Sequence, residues 1–463
     1  MSCDSYHVLI VGGGQAGIPL ARELATRGFR VALAERRELG GSCVNFGCTP
    51  TKAAIASARV AHLARRGREF GLRVPLVEVD FAAVLERAKG ILLQSRAGLR
   101  EAFHGEGKPE LLAGHARLVG RDGRLFRVAV GERHVTAEQV VLDTGTRTRL
   151  PEIPGLEEVE FLHAGNWLER PELPAHLIVL GAGFVGLEMA QLYRRLGSRV
   201  TVVTRGDLLA GEDRDVARAV RQMLEAEDIR FALDVEAERL GAGKDGVRLR
   251  FADSRGHHEL SGSHLFVATG RRPNTDDLGL ETVGLRTTRE GFVRVDDRLG
   301  TSVAGVWAAG DIRGGPMFTH TAWDDHRVLL SQLAGDRRRT CQRVPVYALF
   351  TDPELGRVGA TEAEARRRLP GSRLRVGRHE MRANGRARER GDSEGFVRVL
   401  VDAESERVVG ASVLAAEGAE IVHCFVEVMQ AGASYRAILD AVHIHPTLAE
   451  AVQSAVLALE VPD

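Results

Sequence analysis

The stretch HVLIVGGGQAG at residues 7–17 joins a short apolar run to a glycine-rich loop. A helical stretch continues to about Arg27, and a second apolar run at residues 30–34 leads into Glu35. A strand, a GxGxxG loop, a helix and a second strand ending in an acid form the pattern of a dinucleotide-binding βαβ unit. The sequence therefore predicts a nucleotide site near residue 12.

Three glycines and one acid of this unit have separate physical roles. Gly12 makes the tight turn, Gly14 lets the backbone approach a pyrophosphate, and Gly17 allows the helix to pack closely on the strand. The free N–H groups of the helix N-terminus then face the phosphates. Glu35, at the end of the second strand, can accept hydrogen bonds from a ribose diol.

The same pattern returns in mid-chain as HLIVLGAGFVG at residues 176–186. A helical stretch at residues 187–196 and a strand at residues 199–203 complete the second βαβ unit. The glycines of its loop are Gly181, Gly183 and Gly186. Two such units indicate one cofactor that is held tightly and one that binds and leaves in each cycle.

The residues after the second unit bear on the choice of nucleotide. Thr204 stands where an acid would bind a ribose 2′-hydroxyl, and Arg205 follows it. An acid at this place repels a 2′-phosphate, whereas an arginine attracts one. We therefore predict NADPH at the second site. A second basic residue that would complete a phosphate clamp is not evident in the sequence, so NADH stays open.

Three later apolar runs end in residues that suit a ligand. The first run ends at Thr144-Gly145, the second at Gly270 and the third at Asp311. Glycine turns at strand ends bring the backbone against a ligand or mark a crossing between domains. The Asp311 carboxylate is suited to binding a ribityl or ribose hydroxyl.

Two cysteines lie in the stretch GGSCVNFGCTPTK at residues 40–52. Cys43 and Cys48 are separated by four residues, and a helical run at residues 51–66 follows. Zinc sites usually contain closer cysteine pairs in duplicate, and the sequence has no second pair. A helix N-terminus or a nearby base would stabilise a thiolate here. The spacing alone is modest support for redox chemistry, but the position directly after a dinucleotide loop favours it.

The pattern of apolar residues changes from about residue 342. This segment is predicted to form an α+β domain on an antiparallel sheet. The predicted strands are residues 347–350, 374–376, 396–401 and 408–414, and the predicted helices are residues 419–430 and 435–441.

The segment HIHPTLAE at residues 443–450 contains a candidate acid–base pair. Glu450 follows His445 by five residues and is suited to orienting its imidazole and raising its basicity. A His-Pro pair is more often structural, so the spacing alone leaves both interpretations open.

Composition excludes several classes of protein. The 463 residues carry 63 Lys and Arg against 63 Asp and Glu, so no global field favours nucleic acid or a membrane surface. Five cysteines are too few for a disulfide scaffold, and Cys3, Cys341 and Cys424 are predicted to be ordinary thiols. No metal site is predicted. No apolar run approaches the roughly 20 residues that span a bilayer, and we predict a cytoplasmic protein.

These landmarks, in this order, resemble the class I pyridine nucleotide-disulfide oxidoreductases, which include dihydrolipoyl dehydrogenase, glutathione reductase and mercuric reductase. The resemblance extends from about Tyr6 to Leu459. Within the family, the nearest likeness is to mercuric-reductase-like FAD-containing oxidoreductases. The motifs that carry this likeness are NFGCTPTK at residues 45–52, FTHT at 318–321 and YALFTDPELGRVG at 347–359.

The resemblance implies an α/β fold with two Rossmann-like dinucleotide-binding domains and a C-terminal α+β dimerisation domain. The FAD-binding domain is expected at residues 1–147 and 271–340, the NAD(P)-binding domain at 148–270 and the dimerisation domain at 341–463. FAD is expected to contact the first loop (Gly12, Gly14, Gly17) and Glu35, Lys52, Ala116, Thr144, Gly145 and Asp311. NADPH, or NADH, is expected to contact the second loop (Gly181, Gly183, Gly186) and Arg205 and Gly270.

The resemblance also implies how the reacting groups divide their work. Cys48 is expected to be the thiol against the flavin, and Cys43 the interchange thiol that attacks the substrate. Lys52 and Glu188 are expected to pair beside the flavin, where hydride arrives. Phe184 is a candidate aromatic gate at that face, or a packing residue.

The expected assembly is a homodimer. His445, oriented by Glu450, would act on the cysteine pair of the other subunit as proton acceptor and donor. The expected partner is a small-molecule or protein disulfide, with no nucleic acid and no membrane.

The sequence departs from mercuric reductases at several points. Those enzymes carry a vicinal cysteine pair near the C-terminus, whereas no cysteine follows Cys424 here. They also have an N-terminal metal-carrier domain, which we do not expect here because the first glycine loop follows at once, and they do not use the His-Pro and Glu motif. A metal ion needs soft thiolate ligands for delivery, whereas an organic disulfide needs a proton donor for its leaving thiolate. We therefore predict a disulfide reductase.

Three alternatives remain. The sequence is also compatible with a metal-ion reductase for mercury or copper that uses only the inner pair, and with a dihydrolipoyl dehydrogenase that oxidises a dithiol with NAD. A redox-sensing flavoprotein without turnover is the third.

Overall fold

The computed structural model describes residues 4–244, 246–370 and 372–461. Cys3 lies outside them. The strands within these residues form a parallel sheet around each glycine loop, and the other strands pair mainly in antiparallel fashion. They are β1 (Asp4–Val11), β2 (Val31–Glu35), β3 (Glu110–Ala113), β4 (Ala116–Asp122), β5 (Leu125–Val130), β6 (Arg133–Leu142), β7 (Thr146–Thr148), β8 (Leu162–His163), β9 (His176–Leu180), β10 (Arg199–Val203), β11 (Arg230–Ala232), β12 (Glu236–Gly243), β13 (Gly246–Asp253), β14 (Gly256–Gly262), β15 (His264–Val267), β16 (Arg271–Pro273), β17 (Val306–Ala308), β18 (Val346–Leu349), β19 (Glu354–Gly359), β20 (Leu374–Glu380), β21 (Phe396–Asp402) and β22 (Arg407–Ala415).

The α-helices of the described residues include one that follows each glycine loop and a longer one that begins at Cys48. They are α1 (Gly17–Thr26), α2 (Gly41–Asn45), α3 (Cys48–Arg65), α4 (Phe81–Arg100), α5 (Phe184–Leu196), α6 (Arg214–Ala226), α7 (Thr319–Leu333), α8 (Glu362–Arg368), α9 (Gly385–Glu389), α10 (Gly418–Ile421), α11 (His423–Gln430), α12 (Arg436–Leu439) and α13 (Glu450–Leu457).

The first sheet has the order β3-β2-β1-β6-β5-β4, and β17 also pairs with β6. β3, β2, β1, β6 and β17 are parallel, whereas β5 and β4 add an antiparallel hairpin. Val8, Leu9 and Ile10 of β1 are all buried, which explains the unbroken apolar run of this central strand. The carboxyl ends of β1, β2, β6 and β17 meet at one edge of the sheet.

The second sheet is parallel throughout, in the order β11-β10-β9-β15-β8. An antiparallel sheet of β12, β13 and β14 accompanies it. A ribbon of β7 paired with β16 joins the two halves, where the chain passes at residues 146–148 and 271–273. The predicted boundaries of the NAD(P)-binding domain, at residues 148 and 270, fall at this ribbon, and the division into domains stays a prediction.

The C-terminal sheet is antiparallel, in the order β18-β19-β22-β21-β20. The two dinucleotide units and the antiparallel C-terminal unit confirm the predicted fold class. The structure adds β19, which the sequence pattern did not predict. A Cβ at Gly356 would lie 2.3 Å from the Gly418 carbonyl oxygen, so the close approach of α10 requires a glycine that interrupts the apolar pattern.

The helix after the cysteines begins earlier than predicted. It starts at Cys48 rather than at residue 51, and Cys43 lies on the separate helix α2. Gly47 lies between the two helices, and its N–H bonds the Ser42 carbonyl at 2.7 Å. The two thiols therefore face each other across a helix break rather than along one helical turn.

Among the described residues, no helix is both long enough and apolar enough to cross a membrane.

Candidate active site

A single large cavity of about 1660 Å³ connects the first glycine loop, the cysteine pair and the second βαβ unit. Gly12 and Glu35 line one end, and Gly183 and Gly270 line the other. Cys43, Cys48 and the residues of α7 lie between them. This continuity allows two nucleotides to meet near the thiols.

The first glycine loop has no room for side chains. A Cβ at Gly12, whose φ is +110°, would lie 2.2 Å from the Asp143 carbonyl oxygen. One at Gly17 would lie 2.3 Å from the Gly12 oxygen, and one at Gly14 would lie 2.6 Å from Asp143 Oδ2. The backbone of this loop is therefore open to a ligand only on its cavity side, as a dinucleotide requires.

The acids and turns at the sheet edge surround the same loop. Glu35 accepts hydrogen bonds from the Gly13 and Arg37 N–H groups, both at 2.8 Å. Asp311 Oδ2 accepts a 2.8 Å bond from the Thr146 hydroxyl. The remaining predicted contacts, Ala116, Thr144 and Gly145, also line the cavity.

The residues present fit FAD. The glycine cradle, the acid at the end of β2 and the carboxylate at Asp311 lie along one wall, and the cavity continues from them to the cysteines. A dinucleotide bound by its pyrophosphate at this loop would extend its flavin end towards Cys48.

The second glycine loop has similar geometry. Cβ atoms at Gly181 and Gly186 would lie 2.4 Å from the Ala268 oxygen and 2.1 Å from the Gly181 oxygen, whereas a Cβ at Gly183 would meet nothing within 4 Å. Gly183 is thus the open point for a ligand. Arg205 is exposed just after β10 and does not line the cavity.

The two thiols of the candidate redox pair interact through a hydrogen bond. Cys48 is exposed to the cavity, and its Sγ lies 3.2 Å from Thr319 Oγ1. A hydrogen bond from Cys43 lowers the pKa of the Cys48 thiol to about 6, with Thr319 and the Lys52 charge adding to the effect. The same interaction and burial raise the pKa of Cys43. These opposite shifts favour a thiolate on Cys48 and a proton on Cys43.

Lys52 and Glu188 form an ion pair on the cavity wall. Lys52 Nζ lies 2.6 Å from Glu188 Oε2, and Glu188 Oε1 accepts the Phe350 N–H at 3.0 Å. Lys52 Nζ also lies 4.5 Å from the centre of the Phe350 ring. These contacts hold one positive and one negative charge close to the pair of thiols.

Opposite shifts of the Cys48 pKa are expected from two variants of this ion pair. The Lys52 charge lowers the Cys48 pKa and the Glu188 charge raises it. Lys52→Met should therefore raise the pKa, and Glu188→Gln should lower it, each by on the order of one pH unit. The measurement is a pH titration of thiolate absorbance. Glu86→Gln, which breaks the exposed Lys89–Glu86 pair, is the control and should leave the titration unchanged. Shifts of the same sign in the two variants would contradict the assignment.

Three aromatic rings line the cavity next to the second loop. Phe318 and Tyr347 are stacked at 5.3 Å, and Phe184 meets both edge-on at 5.7 and 5.6 Å. The Tyr347 hydroxyl donates to Glu212 at 2.6 Å. Phe184 therefore belongs to an aromatic cluster that a nicotinamide would have to contact.

The candidate acid–base pair lies outside this cavity. His445 Nδ1 lies 3.0 Å from Glu450 Oε1, and Glu450 Oε2 accepts the Thr447 N–H at 2.7 Å. The His445 side chain is 78% exposed. The hydrogen-bonded pair exists as predicted, but within one chain it is not brought to the cysteines.

Two residues of the site were not predicted from the sequence. Thr319, in the FTHT motif, contacts Cys48 although 271 residues separate them. Asp143 contacts the first glycine loop through a 2.7 Å bond from the Gly17 N–H. An acid directly before a Thr-Gly turn was the available signal for Asp143, and the motif itself was the signal for Thr319.

The chain was compared with known protein families. Residues 6–325 match the model of the pyridine nucleotide-disulphide oxidoreductases, and residues 346–456 match the dimerisation domain of the same family. The dimerisation-domain match supports a homodimer.

Named relatives agree with the family match. A dihydrolipoyl dehydrogenase of Cupriavidus necator is 34% identical, with 98% of each chain covered. The probable pyridine nucleotide-disulfide oxidoreductase RclA of Escherichia coli is 30% identical, with 97% of this chain and 98% of that protein covered.

Solved structures give the same result. The HOCl-induced flavoprotein disulfide reductase RclA from Escherichia coli superposes with a TM-score of 0.86 at 29% identity, covering 97% of this chain and 99% of that one. The nearer likeness to mercuric-reductase-like enzymes stays a prediction. The chain belongs to the pyridine nucleotide-disulphide oxidoreductase family, as an oxidoreductase that uses FAD and a nicotinamide nucleotide.

Proposed function

We propose that this chain is an NADPH-dependent disulfide reductase that carries electrons to an organic disulfide through Cys43 and Cys48. The observation that carries the proposal is the position of both thiols in one cavity with two dinucleotide loops. FAD, when bound, supplies the relay of an electron pair between the nicotinamide and the cysteines.

Cys43 and Cys48 have different tasks in this proposal. The Cys43 thiol loses its proton to a base and attacks the substrate disulfide, which forms a mixed disulfide and expels one substrate thiolate. The Cys48 thiolate then attacks the Cys43 sulfur, which closes the Cys43–Cys48 disulfide and releases the second substrate thiolate. One electron pair from NADPH restores the dithiol. The raised pKa of Cys43 is the reason that a base is needed.

His445 of the partner subunit is the base we propose, and it returns the proton to the leaving thiolate. His445 does not line the cavity of its own chain. Val442 and Ile444 beside it are 99% and 78% exposed. Apolar side chains exposed around a hydrogen-bonded His–Glu pair favour burial against a second subunit.

A panel of acceptors tests the proposal. Holoenzyme is assayed with NADPH and with NADH against lipoamide, oxidised glutathione, an aromatic disulfide, Hg(II) and Cu(II). Turnover of at least one disulfide is expected. Turnover of a metal ion with all disulfides inert would overturn the disulfide-reductase proposal, and slow NADPH oxidation with every acceptor would favour a sensor.

Metal-ion reduction is the second candidate. RclA from Escherichia coli, whose structure was solved as a Cu(II) complex, is 29% identical to this chain and superposes on it with a TM-score of 0.87. Soft thiolates of the inner pair suit such an ion. Reduction of Cu(II) or Hg(II) that survives His445→Ala but not Cys43→Ala would favour this candidate, because a metal ion needs no proton donor.

Arg205 is the residue we propose for the choice of NADPH over NADH. It is exposed after β10 and forms no ion pair within the described residues, so its charge is available to a 2′-phosphate. Arg205→Ala is expected to raise KM for NADPH roughly tenfold and to leave KM for NADH unchanged. Arg199→Ala, at the opposite end of the same strand, is the control. An equal effect on both nucleotides would contradict the assignment.

Cytoplasmic location and the direction of the reaction in the cell stay predictions. The names of relatives suggest the opposite reaction, in which a dihydrolipoyl dehydrogenase oxidises a dithiol with NAD. If this chain works in that direction, dithiol oxidation with NAD will be faster than disulfide reduction with NADPH.

A further inference from the structure

Asp143 lies at the end of β6, between the first glycine loop and the loop that follows β17. Only 6% of the residue is exposed, and it lines the cavity. A buried acid at a site built for a pyrophosphate is unexpected, because the ligand carries the same sign of charge.

The carboxyl group of Asp143 fills the space that the glycines leave. Oδ2 accepts the Gly17 N–H at 2.7 Å. A Cβ at Gly14 would lie 2.6 Å from Oδ2, and a Cβ at Gly310 would lie 2.9 Å from Oδ1. The group is therefore in contact with the part of the loop where the backbone approaches a pyrophosphate.

The charged groups that face Asp143 are negative. Burial raises the pKa of Asp143 well above the ordinary value, and Asp311 after β17, Asp325 on α7 and Glu35 on β2 raise it further. Residues 12–17 carry no charged side chain. The arginines of this region are bound to other carboxylates: Arg313 and Arg343 to Asp325, and Arg271 to Asp311. The Gly17 N–H bond favours an ionised Asp143, but burial and the neighbouring carboxylates outweigh it.

We propose that Asp143 is a FAD-positioning residue that remains a neutral carboxylic acid, accepting the Gly17 N–H through Oδ2 and donating its own proton from Oδ1 to an oxygen of the FAD pyrophosphate. A protonated carboxyl group has one O–H donor and still has acceptor capacity, so it can serve both partners at once. The two phosphates add negative charge, which favours the neutral form further. The acid thus helps to hold the pyrophosphate rather than repelling it.

Two variants distinguish a neutral donor from an ionised group. Asp143→Asn keeps a neutral donor and an acceptor of nearly the same shape, and FAD binding is expected within about threefold of the parent protein. Asp143→Ala removes both hydrogen bonds, and FAD binding is expected to weaken roughly tenfold or more. Diluted holoenzyme is followed by the rise of flavin fluorescence as FAD is released.

Each outcome of this release experiment decides the proposal. If Asp143→Asn or Asp143→Ala binds FAD more than about tenfold tighter than the parent, the native carboxyl is ionised and repels the cofactor. If Asp143→Ala binds FAD as tightly as the parent, the side chain does not hold it. Either result overturns the proposal.

A second measurement remains decisive if Asp143→Ala fails to fold. The infrared difference spectrum between the parent holoenzyme and Asp143→Asn at neutral pH is expected to contain the carbonyl band of a protonated carboxylic acid. Carboxylate bands in its place would overturn the neutral state. Circular dichroism and dimer size confirm that the two proteins compared share one fold.

Discussion

The Cys43→Ser variant is expected to lose at least roughly 1,000-fold in kcat/KM for a disulfide substrate while keeping its flavin and its Cys48 thiolate. A serine hydroxyl cannot form the mixed disulfide, so turnover stops at the first step. The Cys48 thiolate persists because Thr319 and Lys52 still stabilise it. Steady-state assays give the first quantity, and the long-wavelength thiolate-to-flavin absorption band gives the second.

The band in this variant has a defined pH dependence. In the parent enzyme the bond from Cys43 is the largest cause that lowers the pKa of Cys48 to about 6. In Cys43→Ser the thiolate should therefore disappear as the pH falls through a value higher than that of the parent. Cys48→Ser should lack both the band and the turnover. Cys341→Ser, at a half-buried thiol outside the cavity, is the control and should keep both. A Cys43→Ser enzyme that still reduces disulfides would show that the roles of the two thiols are wrongly assigned.

The local motifs of the site could be predicted from the sequence. Each glycine loop depends on about 30 consecutive residues, because the strand, turn and helix that make the cradle are neighbours along the chain. The cysteine pair is equally local. The redox chemistry of the cysteines could be predicted from their residue type and position. The helix break at Gly47 could not, since a single glycine is compatible with several conformations.

Long-range contacts of the site could not be predicted by the same reasoning. Asp143 reaches Gly17 because β6 pairs directly with β1, and Thr319 reaches Cys48 because α7 follows the strand that pairs with β6. The order of strands in a sheet cannot be predicted from the spacing of apolar residues. The pairing of Lys52 with Glu188 was expected only through the family resemblance, and the structure shows the contact at 2.6 Å.

The two thiols of the site differ in how readily they lose a proton. The pKa shifts favour a thiolate on Cys48 and a proton on Cys43, so in the proposed mechanism the nucleophile that attacks a substrate must first lose a proton. No histidine hydrogen bond to Cys43 is present in the described part of the chain. The site of one subunit thus has an interchange thiol without its base, which is the physical reason to expect a second subunit to complete it.

His445→Ala is expected to lower kcat/KM for disulfides by roughly 100- to 10,000-fold, the range for loss of a general acid–base group. FAD content and reduction by NADPH should not change, because in the proposed mechanism His445 acts on the interchange thiol and not at either nucleotide loop. His443→Ala, two residues away and half-buried, is the control and should remain active. Glu450→Gln keeps the size of the side chain and should show a smaller loss with an altered pH profile, since Glu450 orients the imidazole at 3.0 Å.

Mixed dimers test whether His445 acts on the other subunit. Dimers that combine one Cys43→Ser subunit with one His445→Ala subunit contain no chain with both groups intact. If His445 serves its partner's thiols, one site of each mixed dimer pairs an intact Cys43 with an intact His445, and about half of the parent activity per dimer should return. If His445 acts within its own chain, the mixed dimer has no complete site and must remain as inactive as the two parent variants.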